Sequence, residues 1–192
     1  MIDEQACCAL TWITTGQLDK ARAILERTVA RLTPYLESGS PVVGLEPSCL
    51  ATLRSDAAEL VGARLDVLSF AELVERLDLP LPDLTGVSVV AQPHCHHASI
   101  VGWDADRRLL ERAGARVTEV AGCCGLAGNF GMEKGHYEVS VAVAETHLLP
   151  AVRSEPDAVL LADGMSCRVQ LADLGQRPAV HLAELFASRV TR

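Results

Sequence analysis

Aromatic side chains are scarce, with three Phe, two Tyr and two Trp in 192 residues. Leu, Val and Ala must therefore fill most of the interior. Positive charge is also in deficit, 17 basic against 25 acidic side chains for a net charge of −8. Phosphate backbones are held by clustered Lys and Arg, so this balance argues against a nucleic-acid partner. Arg107, Arg108 and Arg112 are a small local exception and read as a solvated helix face. No apolar run reaches the about 20 residues that cross a bilayer. The start, Met1-Ile-Asp-Glu-Gln, is acidic and lacks the basic region of a secretory leader. The expectation is a cytoplasmic protein without a membrane span, with peripheral docking on a membrane partner left open.

Cysteine, by contrast, is plentiful, at positions 7, 8, 49, 95, 123, 124 and 167. In a cytosolic chain, metal binding or redox chemistry is a better default than disulfides. Cys7-Cys8 and Cys123-Cys124 are adjacent pairs. Neighbouring Cα atoms lie about 3.8 Å apart, short of the roughly 4.4 Å that a disulfide wants. Any single cysteine reads equally well as a small buried hydrophobe, but the whole pattern does not.

Apolar periodicity predicts alternating strands and helices. Helices are expected at Thr15–Leu36, Cys49–Val61 behind a Ser48 cap, and Phe70–Leu77 behind a Ser69 cap. Further helices are expected at Ala98–Ala113, Glu133–Leu149 with Pro150 beyond, Cys167–Leu174 and Ala179–Val190. Strands are expected at Pro41–Glu46, Val87–Ala91, Arg116–Val120 and Asp157–Ala162, and Leu79-Pro-Leu-Pro-Asp83 reads as a linker. Strands separated by helices indicate an α/β fold with parallel pairing.

The chain also repeats itself. Pro41-Val-Val-Gly-Leu-Glu-Pro-Ser-Cys49 resembles Asp157-Ala-Val-Leu-Leu-Ala-Asp-Gly-Met-Ser-Cys167, and an adjacent cysteine pair lies upstream of each. Cys8 and Cys49 are 41 residues apart, Cys124 and Cys167 are 43 apart. The fold class expected is therefore α/β, with two related units of short parallel strands and flanking helices, and cysteines at the strand C-terminal ends. The first unit is assigned to residues 1–80 and is expected to lack its N-terminal half. The second, at 84–192, is expected to be complete, because only it has an additional upstream cysteine, Cys95.

In the second unit, Pro93-His-Cys-His-His97, Ala121-Gly-Cys-Cys-Gly125 and Gly164-Met-Ser-Cys167 each follow a strand. Ligands in α/β sheets gather outside the carboxyl ends of strands. Cys95, Cys123, Cys124 and Cys167 would thus meet as four thiolates, the number that an ordinary iron–sulfur cluster needs. Adjacent cysteines suit a multi-iron cluster better than one tetrahedral zinc, which usually takes cysteines two to four residues apart. Gly125 and its neighbouring glycines let backbone approach a bulky group, or simply make turns. His94, His96 and His97 raise the rival possibility of zinc, but His94 and His96 are expected to hydrogen-bond around the thiolates instead of ligating. Lys134 either offsets cluster charge or is solvated. In the first unit Cys7, Cys8 and Cys49 give three thiolates, Glu46 is either a carboxylate donor or part of a turn, and Ala9 stands where the second unit has Gly125. This half is expected to bind a cluster weakly or not at all.

These motifs resemble the cysteine-rich CCG domain found in heterodisulfide reductase, in the glycolate oxidase iron–sulfur subunit, and in anaerobic glycerol-3-phosphate and lactate-utilisation proteins. The family pattern is a lone Cys, then Cys-Cys-Gly, then Cys-x-x-Cys, usually twice. Cys95, Cys123-Cys124-Gly125 and Cys167 match it, with Gly164 where the first cysteine of the last pair would stand and Glu46 in that place in the first unit. Cys7-Cys-Ala-Leu-Thr-Trp, Gly44-Leu-Glu-Pro-Ser-Cys49, Cys123-Cys-Gly-Leu-Ala-Gly-Asn-Phe and Ala162-Asp-Gly-Met-Ser-Cys-Arg-Val-Gln170 are most similar to the C-terminal region of fused FAD-linked oxidase/iron–sulfur proteins.

The resemblance implies an iron–sulfur electron-transfer domain, 4Fe-4S in type with zinc as a substitute, serving an FAD-linked 2-hydroxyacid dehydrogenase of D-lactate or glycolate type. It also implies an FAD-linked oxidase domain or subunit and a ferredoxin-like domain as partners. FAD would sit only on such a partner, so hydroxyacid oxidation is not expected of this chain alone. Two alternatives stay open: cluster-based thiol/disulfide reduction of the heterodisulfide reductase kind, and a zinc-binding or metal-free docking domain without redox activity. Five cysteines suit an unusual non-cubane cluster, whereas the four here suit a cubane.

Overall fold

A computed structural model describes residues 6–190. A short helix α1 (Leu10–Thr14), not expected from the sequence, precedes α2 (Leu18–Glu37), which is the helix expected at Thr15–Leu36, and Gly16 turns the chain between them with φ +74°. Helix α2 buries Ala21, Leu25, Thr28 and Leu32, while Leu18 faces solvent.

Strand β1 (Val42–Val43) pairs in parallel with β2 (Val67–Leu68), a strand too short for its alternation to register in the sequence. Between them lie α3 (Pro47–Arg54) and α4 (Asp56–Val61), one expected helix interrupted at Ser55. Glu46, not Ser48, caps α3, with its carboxylate accepting from the Ser48 N–H. Helix α5 (Phe70–Arg76) begins as expected, with Ser69 and Glu72 forming a reciprocal capping box.

The second sheet has the order β4-β3-β5, all parallel, from β3 (Ser88–Ala91), β4 (Arg116–Glu119) and β5 (Val159–Leu161). Helix α6 (Asp104–Arg112) follows a π turn at His97–Val101, the two separated at Gly102. The helix expected over 133–149 is instead a 3-10 turn at Phe130–Met132, then α7 (Tyr137–Ala144) and α8 (Leu148–Ser154). Pro150 lies in the first turn of α8, not beyond the helix. Its missing N–H costs nothing there, since first-turn N–H groups have no intrahelical acceptor. Helices α9 (Met165–Asp173) and α10 (Leu182–Ala187) complete the chain, and Val180 bridges Leu161 in parallel.

Alternation along the strands divides the sheet's two faces. Val89, Ala91 and Leu161 pack with Leu84, Leu109, Leu110, Leu182 and Phe186. Helix α5 joins this cluster through Ala71 and Val74, although it precedes the Leu79–Asp83 segment. Val90, Leu160 and Ala162 pack on the other face with Leu148, Val152, Leu171, Cys124 and Cys167. A third cluster, around Leu25, Leu50, Val42 and Val67, includes Cys8 and Ala9. Each fully buried Leu is worth about 1.5–3 kcal/mol before entropy is charged. Cys8 in the first unit, and Cys124 and Cys167 in the second, are thus anchored to a core by their own burial.

Candidate metal centre

Because β3, β4 and β5 run parallel, their carboxyl ends open on one edge. The segment after β3 delivers Cys95, the segment after β4 delivers Cys123 and Cys124, and the turn into α9 delivers Cys167. Their thiols lie close enough to perturb one another's ionisation, Cys95 with Cys123, Cys123 with Cys124, and Cys124 with Cys167. Cys95 is exposed, whereas Cys124 and Cys167 are 3 % and 1 % exposed. The row therefore runs from the surface into the core.

Cys123 is the electrostatic focus. The neighbouring Cys124 and Cys95 thiols, then the Gly125 N–H at 3.3 Å and the nearby His94 ring, hold its pKa below the usual thiol value despite burial. The Cys124 and Cys95 thiols are pushed up in turn by Cys123 and by burial. A thiolate already favoured in the fold is a ready ligand.

The turn carrying Cys123 admits only glycine at 125. Gly125 has φ +92°, and a Cβ there would lie 2.2 Å from the Ser140 carbonyl oxygen. The first unit builds the same turn. Ala9 has φ +63° and its N–H donates to Cys7 Sγ at 3.4 Å. Beyond it, Cys8 Sγ lies 3.0 Å from Cys49 Sγ, with all cysteines as free thiols. The Cys49 hydrogen bond, opposed by burial, brings the Cys8 thiol down to about 7, and Cys49, as the donor to that sulfur, is pushed up. Cys7 is exposed and is tied by its backbone to the Thr28 hydroxyl.

His94 is buried, and its Nδ1 accepts from the His96 N–H at 3.2 Å. Burial holds its pKa below the usual histidine value, so the ring is neutral with its proton on Nε2. The His94 and His96 rings meet edge-on. Gly164 has ordinary backbone angles, φ −78° and ψ 134°. Yet a Cβ at 164 would fall 2.3 Å from His94 Cδ2 and 2.8 Å from Cγ. The imidazole occupies the space a side chain at 164 would need. Lys134 is exposed, and no hydrogen bond or ion pair joins it to the cysteine row among the described residues.

Glu46 belongs to neither row. One carboxylate oxygen accepts from the Ser48 hydroxyl at 2.8 Å, and the other accepts from the Met165 N–H at 2.9 Å, across the boundary between the units. Both this bridge and the pairing of His94 with Gly164 escaped the sequence reading. The signal for the second was the glycine itself, at a position where no turn demands one.

The donor set fits a multinuclear thiolate-bound group. Around one zinc ion, Zn–S bonds of about 2.3 Å place sulfurs about 3.8 Å apart in every pairing. Among the described residues, no three cysteine sulfurs lie mutually within 4.8 Å. Four thiols gathered at three strand ends match the ligand number of a thiolate-bound cluster.

Residues 104–172 match the family described as CCG, cysteine-rich domain. D-2-hydroxyglutarate dehydrogenase of Pseudomonas putida is 30 % identical over 174 residues, covering 86 % of this chain and 17 % of that protein. One subunit of the anaerobic glycerol-3-phosphate dehydrogenase of Escherichia coli is 28 % identical over 188 residues, 89 % of this chain and 46 % of that protein. One subunit of the CoM/CoB fumarate reductase of Methanothermobacter marburgensis is 28 % identical over 196 residues, 96 % of this chain and 38 % of that protein. The chain thus spans about one sixth of the length of the first of these relatives.

Proposed function

We propose that this chain, whose residues 104–172 match the cysteine-rich CCG domain family, binds an iron–sulfur cluster through Cys95, Cys123, Cys124 and Cys167 and passes electrons for an FAD-linked 2-hydroxyacid dehydrogenase. The observation that carries the proposal is the row of four thiols across three parallel strand ends. A cluster of the 4Fe-4S kind would supply one-electron storage between a two-electron flavin and a further carrier. The chain's own residues do the rest. Cys123 offers a thiolate in advance, the Gly125 N–H donates to its sulfur, and the buried Cys124 and Cys167 keep water from one side. Hydrogen bonds to sulfur and burial are the means by which a protein sets a cluster's potential. The exposed Cys95 end is where a partner would exchange electrons.

The FAD-linked oxidase and a ferredoxin-like domain are partners under this proposal, as separate subunits or on one polypeptide. Among the described residues no helix is long and apolar enough to cross a membrane. We place the protein in the cytoplasm, where free thiols persist. Cluster-based disulfide reduction is the weaker reading, because the His94 ring fills the space of the fifth cysteine.

The test is iron, sulfide and zinc content with a visible spectrum on anaerobically purified protein, beside Cys124→Ser. About four irons per chain and a brown absorbance that the variant loses are expected. Zinc near one per chain, persisting after iron supplementation, refutes the proposal.

A further inference from the structure

Next to the cysteine row, and separate from it, three buried side chains converge. His97 follows Cys95 by two residues, Asp163 precedes Gly164 at the end of β5, and Asp106 projects from α6. His97 Nε2 lies 3.3 Å from Asp106 Oδ2, and the side chains are 3 % and 2 % exposed. One donor atom from each of His97, Asp106 and Asp163 falls within 4.8 Å of the other two.

Their hydrogen bonding is incomplete. His97 Nδ1 lacks a hydrogen-bond partner, and His97 Nε2 and Asp106 Oδ2 meet only each other, without hydrogen-bond geometry. Asp163 Oδ1 accepts from the Leu182 N–H at 2.8 Å. His181 approaches Asp163 at 3.6 Å but is already engaged, with Nδ1 accepting from the Ala183 N–H and Nε2 facing the Leu45 carbonyl. Gln92 lines the same small cavity as His97 and Asp163. Its Nε2 donates to the Pro93 and Gly122 carbonyls, while its buried Oε1 has no partner. The cavity has no room for a water molecule that could satisfy these atoms. Two buried carboxylates facing each other must take up a proton or a cation between them, and a protonated His97 supplies only one charge. Buried polar atoms without partners are rare in native folds and call for an unplaced ion or water.

We propose that His97, Asp106 and Asp163 bind a divalent ion of the first transition row, with Gln92 Oε1 as a fourth donor. One nitrogen and three oxygens suit manganese, iron(II) or zinc, and no sulfur takes part. The ion would clamp the Cys95 segment and the Asp163 turn onto α6, fixing two of the three loops that present cysteines. The site does not depend on what the cysteine row binds.

Mn2+ is the probe, since it favours oxygen and nitrogen donors over thiolates. The full chain is produced in manganese-supplemented medium, desalted, and assayed for metal content and for the Mn2+ paramagnetic resonance signal. About one bound Mn2+ per chain is expected in the wild type and in Cys124→Ser, with at least a tenfold loss of affinity in Asp106→Asn and Asp163→Asn. Retention of no ion by the wild type, or retention unchanged in both asparagine variants, overturns the proposal. Loss of the ion on Cys124→Ser alone also overturns it, since the ion would then sit at the cysteines. If the asparagine variants do not fold, the wild type decides. Its thermal midpoint rises by several degrees with Mn2+ if the site exists, and an unchanged midpoint refutes it.

Discussion

Replacing Gly164 by Ala tests whether the His94 ring is what forbids a side chain at that position. The backbone there suits any residue, so Ala should gain about 0.4–1 kcal/mol by restricting the unfolded chain. Against this, a Cβ 2.3 Å from His94 Cδ2 and 3.1 Å from His94 Cβ must displace a buried ring held at Nδ1 by the His96 N–H. Overpacking of this kind costs about 1–3 kcal/mol. The net expectation is a loss of about 1–2 kcal/mol. In a His94→Ala background the obstacle is gone, and the same substitution should be neutral or slightly stabilising. The coupling between the two sites is therefore about 1–3 kcal/mol. Urea unfolding of the four metal-free proteins measures it. With a slope of about 2 kcal/mol per molar, Gly164→Ala should lower the wild-type midpoint by about 0.5–1 M and leave the His94→Ala midpoint unchanged or raised. Equal costs in the two backgrounds, within about 0.5 kcal/mol, would refute the reasoning.

Two further outcomes follow from the same geometry. Gly125→Ala combines a positive φ with a backbone clash at Ser140, so it should cost about 3 kcal/mol or more, and the thermal midpoint should fall by roughly 6–12 °C; an unchanged midpoint would show that the turn can rearrange. Burial raises the Glu72 pKa, but the Arg54 guanidinium and the Ser69 N–H outweigh it and leave the carboxyl below its usual value. Its charge therefore stabilises the fold above about pH 4.3, and this is lost as pH falls through the lower folded pKa. The stability gap between wild type and Glu72→Gln should narrow below about pH 4, and a gap constant with pH would refute this assignment.

The α/β class was legible because β3 and β5 are short apolar runs bounded by turn residues. Ser69 was legible as a cap because its partner Glu72 lies three residues on, within the reach of local sequence reasoning. Two other helices were not. Their apolar periodicity continued through Ser55 and Gly102, where local backbone geometry broke them. At the metal centre, the four cysteines of the second unit could be grouped from strand ends alone. Histidine roles could not be, since His94 is defined by a glycine 70 residues away and His97 by Asp106 and Asp163. Contacts between distant segments leave no periodic trace.

The carboxylate of Glu46 has a consequence for any attempt to dissect the chain. It satisfies the first N–H of α9, the helix whose opening turn contains Cys167, from a residue on the far side of the Leu79–Asp83 segment. His181 reaches the Leu45 carbonyl across the same divide, and α5 lends Ala71 and Val74 to the core behind β3. Although the two halves echo each other in sequence, they share caps and packing as one cooperative body. Cutting between them would expose an apolar face and uncap the helix that carries Cys167, so the second half inherits its rigidity from the first.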